Sequence, residues 1–367
     1  MGQGPLSGVR VVEFTGLGPG PFAAMLLSDL GAEVLRIDRL GSPGASRNEV
    51  PARGRASLAL DLKQAEAVQT CLQALESADI LIEGFRPGVL ERLGLGPAVA
   101  LARNPRLVYG RMTGWGQEGP LAQAAGHDIN YIALTGGLAA TGEADGPPVP
   151  PLNLLGDYGG GALYLAFGVV AALYEAQRSG KGQVVDAAIV DGSASLMAAW
   201  SWLQADGIAR AERGASLLGG AAHFYRCYRC ADGAWVSVGA LEPQFWAEFL
   251  RRVGLDPADW PAGFDSSNWA ESSERLAAVF ATQPRDHWRA LLEGSDACFA
   301  PVLSLDEAPG HPHLKARGTF IEAHGQIQPA PAPRFSRTPG AIQGPPPAAG
   351  EGGRELLDRW LGNDRRP

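Results

Sequence analysis

The chain has 367 residues, a formal net charge of −8 and a pI of about 5.3. This length suits two domains better than one hydrophobic core, and 46% hydrophobic with 19% charged residues is typical of a soluble globular protein. The acidic balance excludes a chain-wide nucleic-acid surface. Four cysteines are too few for a disulfide framework at this length, and no secretory signal is visible, so we expect a cytoplasmic location.

The first third of the chain alternates strand and helix patterns. Runs typical of buried strands occur over Val9–Phe14, Glu33–Asp38, Asp79–Gly84 and Arg106–Gly114. A helix is predicted over Pro21–Ala32, with proline at its start. This βαβ order predicts an α/β fold whose large, Rossmann-like domain holds a parallel sheet.

Beyond the first third, the sequence pattern changes to a long apolar run and then to a hairpin pattern. The apolar run Ala162–Tyr174 is too short to cross a bilayer and predicts a buried helix, so we expect no membrane partner. From Tyr225 onward, a hairpin pattern with Asp232–Gly233 at its turn opens an α+β unit. We therefore predict a large domain over 1–190, a linker helix region over 191–222, a small α+β domain over 223–304, a Pro-rich linker over 305–350 that returns to the large domain, and the large domain's C-terminal helix over 351–367.

The motif "GPGPFA", Gly18 to Ala23, matches a dinucleotide-binding fingerprint, with Asp38 twenty residues after Gly18. However, Pro19 and Pro21 remove backbone N–H groups from the loop that would hold a pyrophosphate. We interpret the motif as a tight strand-to-helix turn that binds nothing. A nicotinamide-dependent oxidoreductase is the alternative.

A locally basic stretch lies between Asp38 and Asp61. It holds Arg39, Arg47, Arg53 and Arg55 against Glu49 alone. On an acidic protein, such a stretch favours a small polyanionic ligand.

Two patterns resemble metal sites. Cys227 and Cys230 form a lone C-x-x-C motif without a second ligand pair, and His311 and His313 flank a proline in a loop. We interpret them as structural thiols and a surface turn, and we predict no metal site.

Two polar residues introduce apolar stretches. Asp157 precedes three glycines and the long apolar run, where it is either a helix N-cap or a group that a ligand approaches across bare backbone. His127 is either a hydrogen-bonded core histidine or a base. Adjacency to Asp128 does not make a catalytic dyad, because the side chains of sequence neighbours diverge.

Several long motifs occur together and in order. They are "PLSGVRVVEFTGLGPGPFAAMLLSDLGAEVLRIDR", "GFRPGVLERLGLGP", "RMTGWGQEGP", "GHDINYIALTG", "PPLNLLGDYGGG" and "SGKGQVVDAAIVDG". Together they resemble the family III CoA-transferase (CaiB/BaiF) superfamily, most closely its α-methylacyl-CoA racemase branch. The resemblance implies long interdomain linkers and an interlocked homodimer with shared active sites.

The resemblance also implies chemistry without a metal or redox cofactor, in which CoA enters only as part of the acyl-CoA substrate. Racemisation needs two acid/base groups on opposite sides of the carbon next to the thioester. By resemblance, His127 and Asp157 are those groups, and Glu242 orients the histidine. The alternative is a CoA transferase of the same family with Asp157 as nucleophile.

The remaining site residues come from the same resemblance. CoA is expected to contact Arg39, Leu60, Asp61, Leu62, Lys63, Gly84, Phe85, Arg86, Arg92, Gly126, Asp128, Ile129, Asn130 and Tyr131. Asn153, Gly156 and Tyr225 are expected to support the substrate site, and the glycines that follow Asp157 are candidate enolate stabilisers.

Overall fold

The computed structural model describes residues 2–207, 212–261 and 265–362. Contacts between residues divide the chain into two compact units. The first comprises 1–137, 151–197 and 318–367, and the second comprises 138–150 and 198–317.

The first unit is built on a six-stranded parallel sheet with strand order β3-β2-β1-β4-β5-β6. Its strands are β1 Arg10–Phe14, β2 Glu33–Arg39, β3 Ala56–Leu60, β4 Ile80–Glu83, β5 Val108–Thr113 and β6 Val184–Ala188. The predicted parallel sheet is therefore confirmed.

Helices of the first unit follow the strands along the chain. They are α1 Pro19–Asp29, α2 Ala65–Ser77, α3 Val89–Arg92, α4 Pro97–Arg103, α5 Asp128–Leu134, α6 Leu163–Ser179, α7 Ile189–Leu196 and, near the C-terminus, α13 Gly353–Gly362. Residues Leu154–Ala162 form a π-helical segment that runs directly into α6.

Apolar side chains cover both faces of the sheet. One cluster joins the sheet to α2 and α13 through Leu75 and Trp360, and another joins it to α1 and α6 through Leu27 and Leu165. A parallel sheet covered on both faces buries its strands on both sides, and all residues of β1 after Arg10 are buried.

The second unit has a three-stranded antiparallel sheet, ordered β7-β8-β9. Its elements are α8 Ala198–Ala205, β7 Tyr225–Arg229, β8 Trp235–Gly239, α9 Pro243–Val253, α10 Trp269–Phe280, α11 Arg285–Leu292, β9 Phe299–Val302 and α12 Pro312–Arg317. Tyr225 pairs with Gly239 and Arg229 with Trp235, so the hairpin turns at Asp232–Gly233 as predicted.

Two stretches belong to a different unit from the one predicted from the sequence. Residues 138–150 belong to the second unit, where Arg213 donates to the carbonyl oxygen of Glu143 at 3.0 Å. Residues 305–317 also belong to it, where Glu307 pairs with Arg285. These contacts join residues far apart in sequence. Residues 208–211 of the predicted linker and 363–367 of the predicted C-terminal helix lie outside the described residues.

The predicted Pro-rich linker contains regular structure. Strands β10 Phe320–Ala323 and β11 Gln326–Pro329 form an antiparallel hairpin in the first unit. The buried Arg53 guanidinium donates to Gln328 and to the carbonyl oxygen of Pro329, at 2.7 and 2.8 Å. This polar anchor explains how a segment with few apolar residues is fixed on the domain.

Candidate active site

Asp157 lies in the π-helical segment, a geometry that is rare and frequent at functional sites. Its backbone N–H donates to Oδ2 of Asp128 at 2.6 Å. A Cβ atom on Gly156 would lie 2.3 Å from that same oxygen, so only glycine fits there. The predicted site residues Asp128, Gly156 and Asp157 therefore meet in one place.

His127 immediately precedes α5 in an extended conformation. Its backbone N–H donates to Oδ1 of Asn130 at 3.0 Å, and its carbonyl oxygen accepts from the Asn130 N–H at 2.8 Å. These reciprocal bonds fix the start of the helix and the position of the histidine. His127 is exposed, so the reading as a core histidine is wrong.

The Asp157 carboxyl has an acid/base character unusual for aspartate. Partial burial and the negative charge of Asp128 together raise its pKa to about 6, while the His127 imidazole acts in the opposite direction. The charge of His127 thus acts on the Asp157 carboxyl, and both residues lie in the first unit. A carboxyl that titrates near neutral pH is suited to take and return a proton.

The turn at "GPGPFA" contributes directly to this site. Gly18 has a φ of 68°, and a Cβ atom there would lie 2.9 Å from Oδ2 of Asp157. The helix does start at this turn, as predicted, but the motif has a role that sequence reasoning missed: it leaves room for the carboxylate. The glycine-rich motif was the feature of the sequence that could have indicated this role.

The three glycines after Asp157 serve helix packing. A Cβ atom on Gly160 would lie 2.3 Å from Oγ of Ser193, and one on Gly161 would lie 3.0 Å from a carbon of Ile189, both on α7. The expectation that these glycines expose backbone to a ligand or an enolate is therefore wrong for Gly160 and Gly161, which are buried.

Tyr131, a predicted CoA-binding residue on α5, contacts Gly126 and Trp115. Its hydroxyl donates to the carbonyl oxygen of Gly126, and its ring meets that of Trp115 edge-on, with centroids 4.7 Å apart. Burial and the charge of Asp157 raise its pKa. Trp115, which was not singled out in the sequence, therefore packs against a predicted site residue.

Most predicted CoA-binding residues follow the carboxyl ends of strands, where ligands of open α/β sheets bind. Arg39 pairs with Leu60 at the ends of β2 and β3, and Gly84 follows β4. The side chains of Arg39, Lys63, Arg86 and Arg92 are exposed. Arg39, Lys63 and Arg86 lie at or just after strand ends and Arg92 lies on α3, and four exposed cations suit the phosphates of a nucleotide.

The basic stretch between Asp38 and Asp61 was predicted to bind a polyanionic ligand, but most of its arginines form ion pairs within the chain. Arg53 and Arg55 are buried in ion pairs with Asp29 and Glu13, the latter at 2.7 Å. Arg47 pairs with Glu351 on the surface. Of the four arginines, only Arg39 is absent from the ion pairs found among the described residues. The local excess of arginine is therefore mainly structural.

Two predicted site residues lie in the second unit. Glu242 is exposed and immediately precedes α9, and Tyr225 is half-buried at the start of β7. Asn153 lies in the first unit, where its carbonyl oxygen accepts from the Tyr158 N–H at 3.1 Å and begins the π-helical segment. The exposed Ile129 follows Asp128 on α5.

Comparison with known proteins decides the family. Residues 6–352 match the sequence profile described as CoA-transferase family III. The chain belongs to CoA-transferase family III. This confirms the resemblance found in the sequence motifs.

This family III protein is similar over nearly its whole length to two named enzymes and to a solved structure. It is 46% identical to the alpha-methylacyl-CoA racemase of Mus musculus over 97% of this chain and 93% of the mouse protein. It is 43% identical to the racemase of the same name from Homo sapiens, with the same coverage. The crystal structure of a CAIB/BAIF family protein from Brucella suis matches 98% of this chain and all of its own, with a TM-score of 0.83 and 25% identity.

Proposed function

We propose that this family III protein is an α-methylacyl-CoA racemase that interconverts (2R)- and (2S)-2-methylacyl-CoA thioesters. The observation that carries the proposal is an Asp157 carboxyl whose pKa is raised to about 6 and on which the charge of His127 acts, in a chain closely similar to two racemases over nearly its full length.

The reaction is a 1,1-proton transfer. His127 takes the α-proton from one enantiomer and leaves a planar enolate, and Asp157 returns a proton to the opposite face. In the reverse direction, Asp157 is the base and His127 the acid. Each group needs a pKa near neutral pH to serve in both directions, and each contributes roughly 10²–10⁴ in rate. The reaction needs no redox change.

The proposed CoA position follows the sheet edge. Arg39, Lys63, Arg86 and Arg92 bind the nucleotide and phosphates, and the thioester reaches the pair near α5. This arrangement supports an acyl-CoA substrate and not a nucleic acid, because four exposed cations on a chain of net charge −8 suit a small polyanion.

We also propose that the protein works as a homodimer. On α6, Leu163, Phe167 and Tyr174 are 51%, 75% and 63% exposed, and an apolar row of this kind favours contact with another protein surface. In such a dimer, Glu242 and Tyr225 of one copy would serve His127 of the other copy. The cytoplasmic location expected from the sequence stays a prediction.

The test is to incubate one enantiomer of a 2-methylacyl-CoA with the protein in D₂O. We expect loss of optical purity together with deuterium at the α carbon. Retained optical purity without deuterium would overturn the proposal. Transfer of CoA to an added free carboxylic acid would support the transferase alternative, in which Asp157 attacks the thioester.

A further inference from the structure

A cavity lies within the second unit, and its lining includes Leu241 and Pro243, the sequence neighbours of Glu242. It has a volume of about 230 Å³. Its walls are almost wholly apolar and include Phe224, Leu250, Trp260 and three prolines. A dry engineered cavity of about 150 Å³ with apolar walls binds benzene, so a cavity of this size accommodates a single small ring.

One polar side chain lines this cavity. His223 is 1% exposed, and neither of its ring nitrogens has a hydrogen-bond partner among residues 2–207, 212–261 and 265–362. An unpaired buried polar group is costly, and such groups in native proteins need an explanation. The Tyr228 hydroxyl donates to the His223 carbonyl oxygen at 2.5 Å, which fixes the backbone and holds the imidazole in place.

Aromatic rings surround the imidazole. The centroids of Phe224, Trp246 and Trp260 lie 5.0, 5.1 and 6.1 Å from that of His223, and the two tryptophans meet edge-on at 5.7 Å. These walls favour a flat aromatic ligand, because offset and edge-on ring contacts stabilise beyond the burial of area.

The charge states of His223 and Arg275 further restrict the chemical class of the ligand. Burial, together with the positive charge of Arg275, lowers the pKa of His223 to about 4, so the imidazole is neutral at pH 7 and offers one donor and one acceptor. The Arg275 guanidinium lies 4.3 Å over the Trp260 ring and disfavours a cationic ligand. Arg275 does not line the cavity, so a full anion would lack a direct partner.

We infer that this cavity is a binding site for a small aromatic alcohol of the phenol class, whose hydroxyl hydrogen bonds to His223 while its ring packs against Trp246 and Trp260. The inference does not depend on the proposed racemase activity, since it rests on the cavity, the unpaired imidazole and the aromatic rings and charge around them.

The probes are phenol and toluene, which share a ring and nearly a size but differ in the hydroxyl. Isothermal titration of the full-length protein is expected to show phenol binding at least tenfold tighter than toluene. In His223→Leu the preference disappears, while toluene binds at least as tightly as to the wild type. The exposed His313→Leu in the same unit is the matched control and should keep the preference.

Ala247→Phe provides a second variant, because Ala247 lines the cavity from an exposed position on α9 and a larger side chain fills the space while His223 remains. We expect it to abolish binding of both probes, even if His223→Leu fails to fold. Absence of phenol binding to the wild type, equal affinity for the two probes, or unchanged binding by Ala247→Phe would each overturn the inference.

Discussion

Asp157 and His127 are the two groups on which the proposed proton transfer depends. In the proposed reaction they act on opposite faces of the substrate, so each one serves a different enantiomer. Asp157 approaches from the π-helical segment, and His127 approaches from the start of α5.

Removing one base should therefore separate exchange of the α-hydrogen with solvent from inversion of the α carbon. In His127→Ala, racemisation is expected to fall by roughly 10²–10⁴ in both directions, while Asp157 still exchanges the α-hydrogen of its own enantiomer with D₂O. Asp157→Asn should show the mirror result with the other enantiomer. Mass spectrometry of each enantiomer measures this, and loss of exchange from the same enantiomer in both variants would contradict the two-base assignment.

The pH profile tests the Asp128–Asp157 contact. As a base, Asp157 must be ionised, so kcat/KM for its enantiomer should fall as pH decreases through about 6. The negative charge of Asp128 favours the protonated form of Asp157. In Asp128→Asn this charge is lost, the pKa of Asp157 falls, and the acidic limb moves to lower pH. The asparagine oxygen can still accept the Asp157 N–H, and an unmoved limb would contradict the electrostatic role.

At the scale of elements, the turn before α1 supports the π-helical segment. Gly18→Ala should lower activity strongly, because its Cβ would lie 2.9 Å from the Asp157 carboxylate and its φ of 68° is unfavourable for alanine. Gly16→Ala is the matched control, since no described atom lies within 4 Å of its added Cβ. Racemase assays on both variants check this, and equal activities would show that the contact is unimportant.

The arginines around β2 and β3 should divide into structural and binding groups. Arg55→Met leaves the buried Glu13 unpaired and should lower the free energy of unfolding by about 3–5 kcal/mol. Arg47→Met removes an exposed pair and should cost at most about 1 kcal/mol. Arg39→Met should raise the KM for acyl-CoA without changing stability. Urea unfolding measures the changes in stability, and steady-state kinetics measure the KM. An Arg55→Met protein of normal stability would contradict the division into structural and binding arginines.

At the scale of the whole molecule, assembly should control activity. Phe167→Glu places a charge on the exposed apolar row of α6, so we expect monomers by sedimentation and loss of racemase activity, because Glu242 and Tyr225 would come from the second copy. Val99→Glu, at a 42% exposed position on α4, is the control. A fully active Phe167→Glu monomer would rule out a shared site.

The sequence alone determined the strand and helix order, because β-branched runs, periodic apolar positions and Pro or Gly at helix ends act locally. Through motifs that resemble those of the family, it also predicted His127 and Asp157 as the acid/base pair, and that assignment stays a prediction. Only the tertiary structure decided which arginines are free, since Arg53, Arg55 and Arg47 are paired by Asp29, Glu13 and Glu351 from distant parts of the chain. It also decided the pKa of Asp157, because burial and the charge of Asp128 arise only when α5 and the π-helical segment meet.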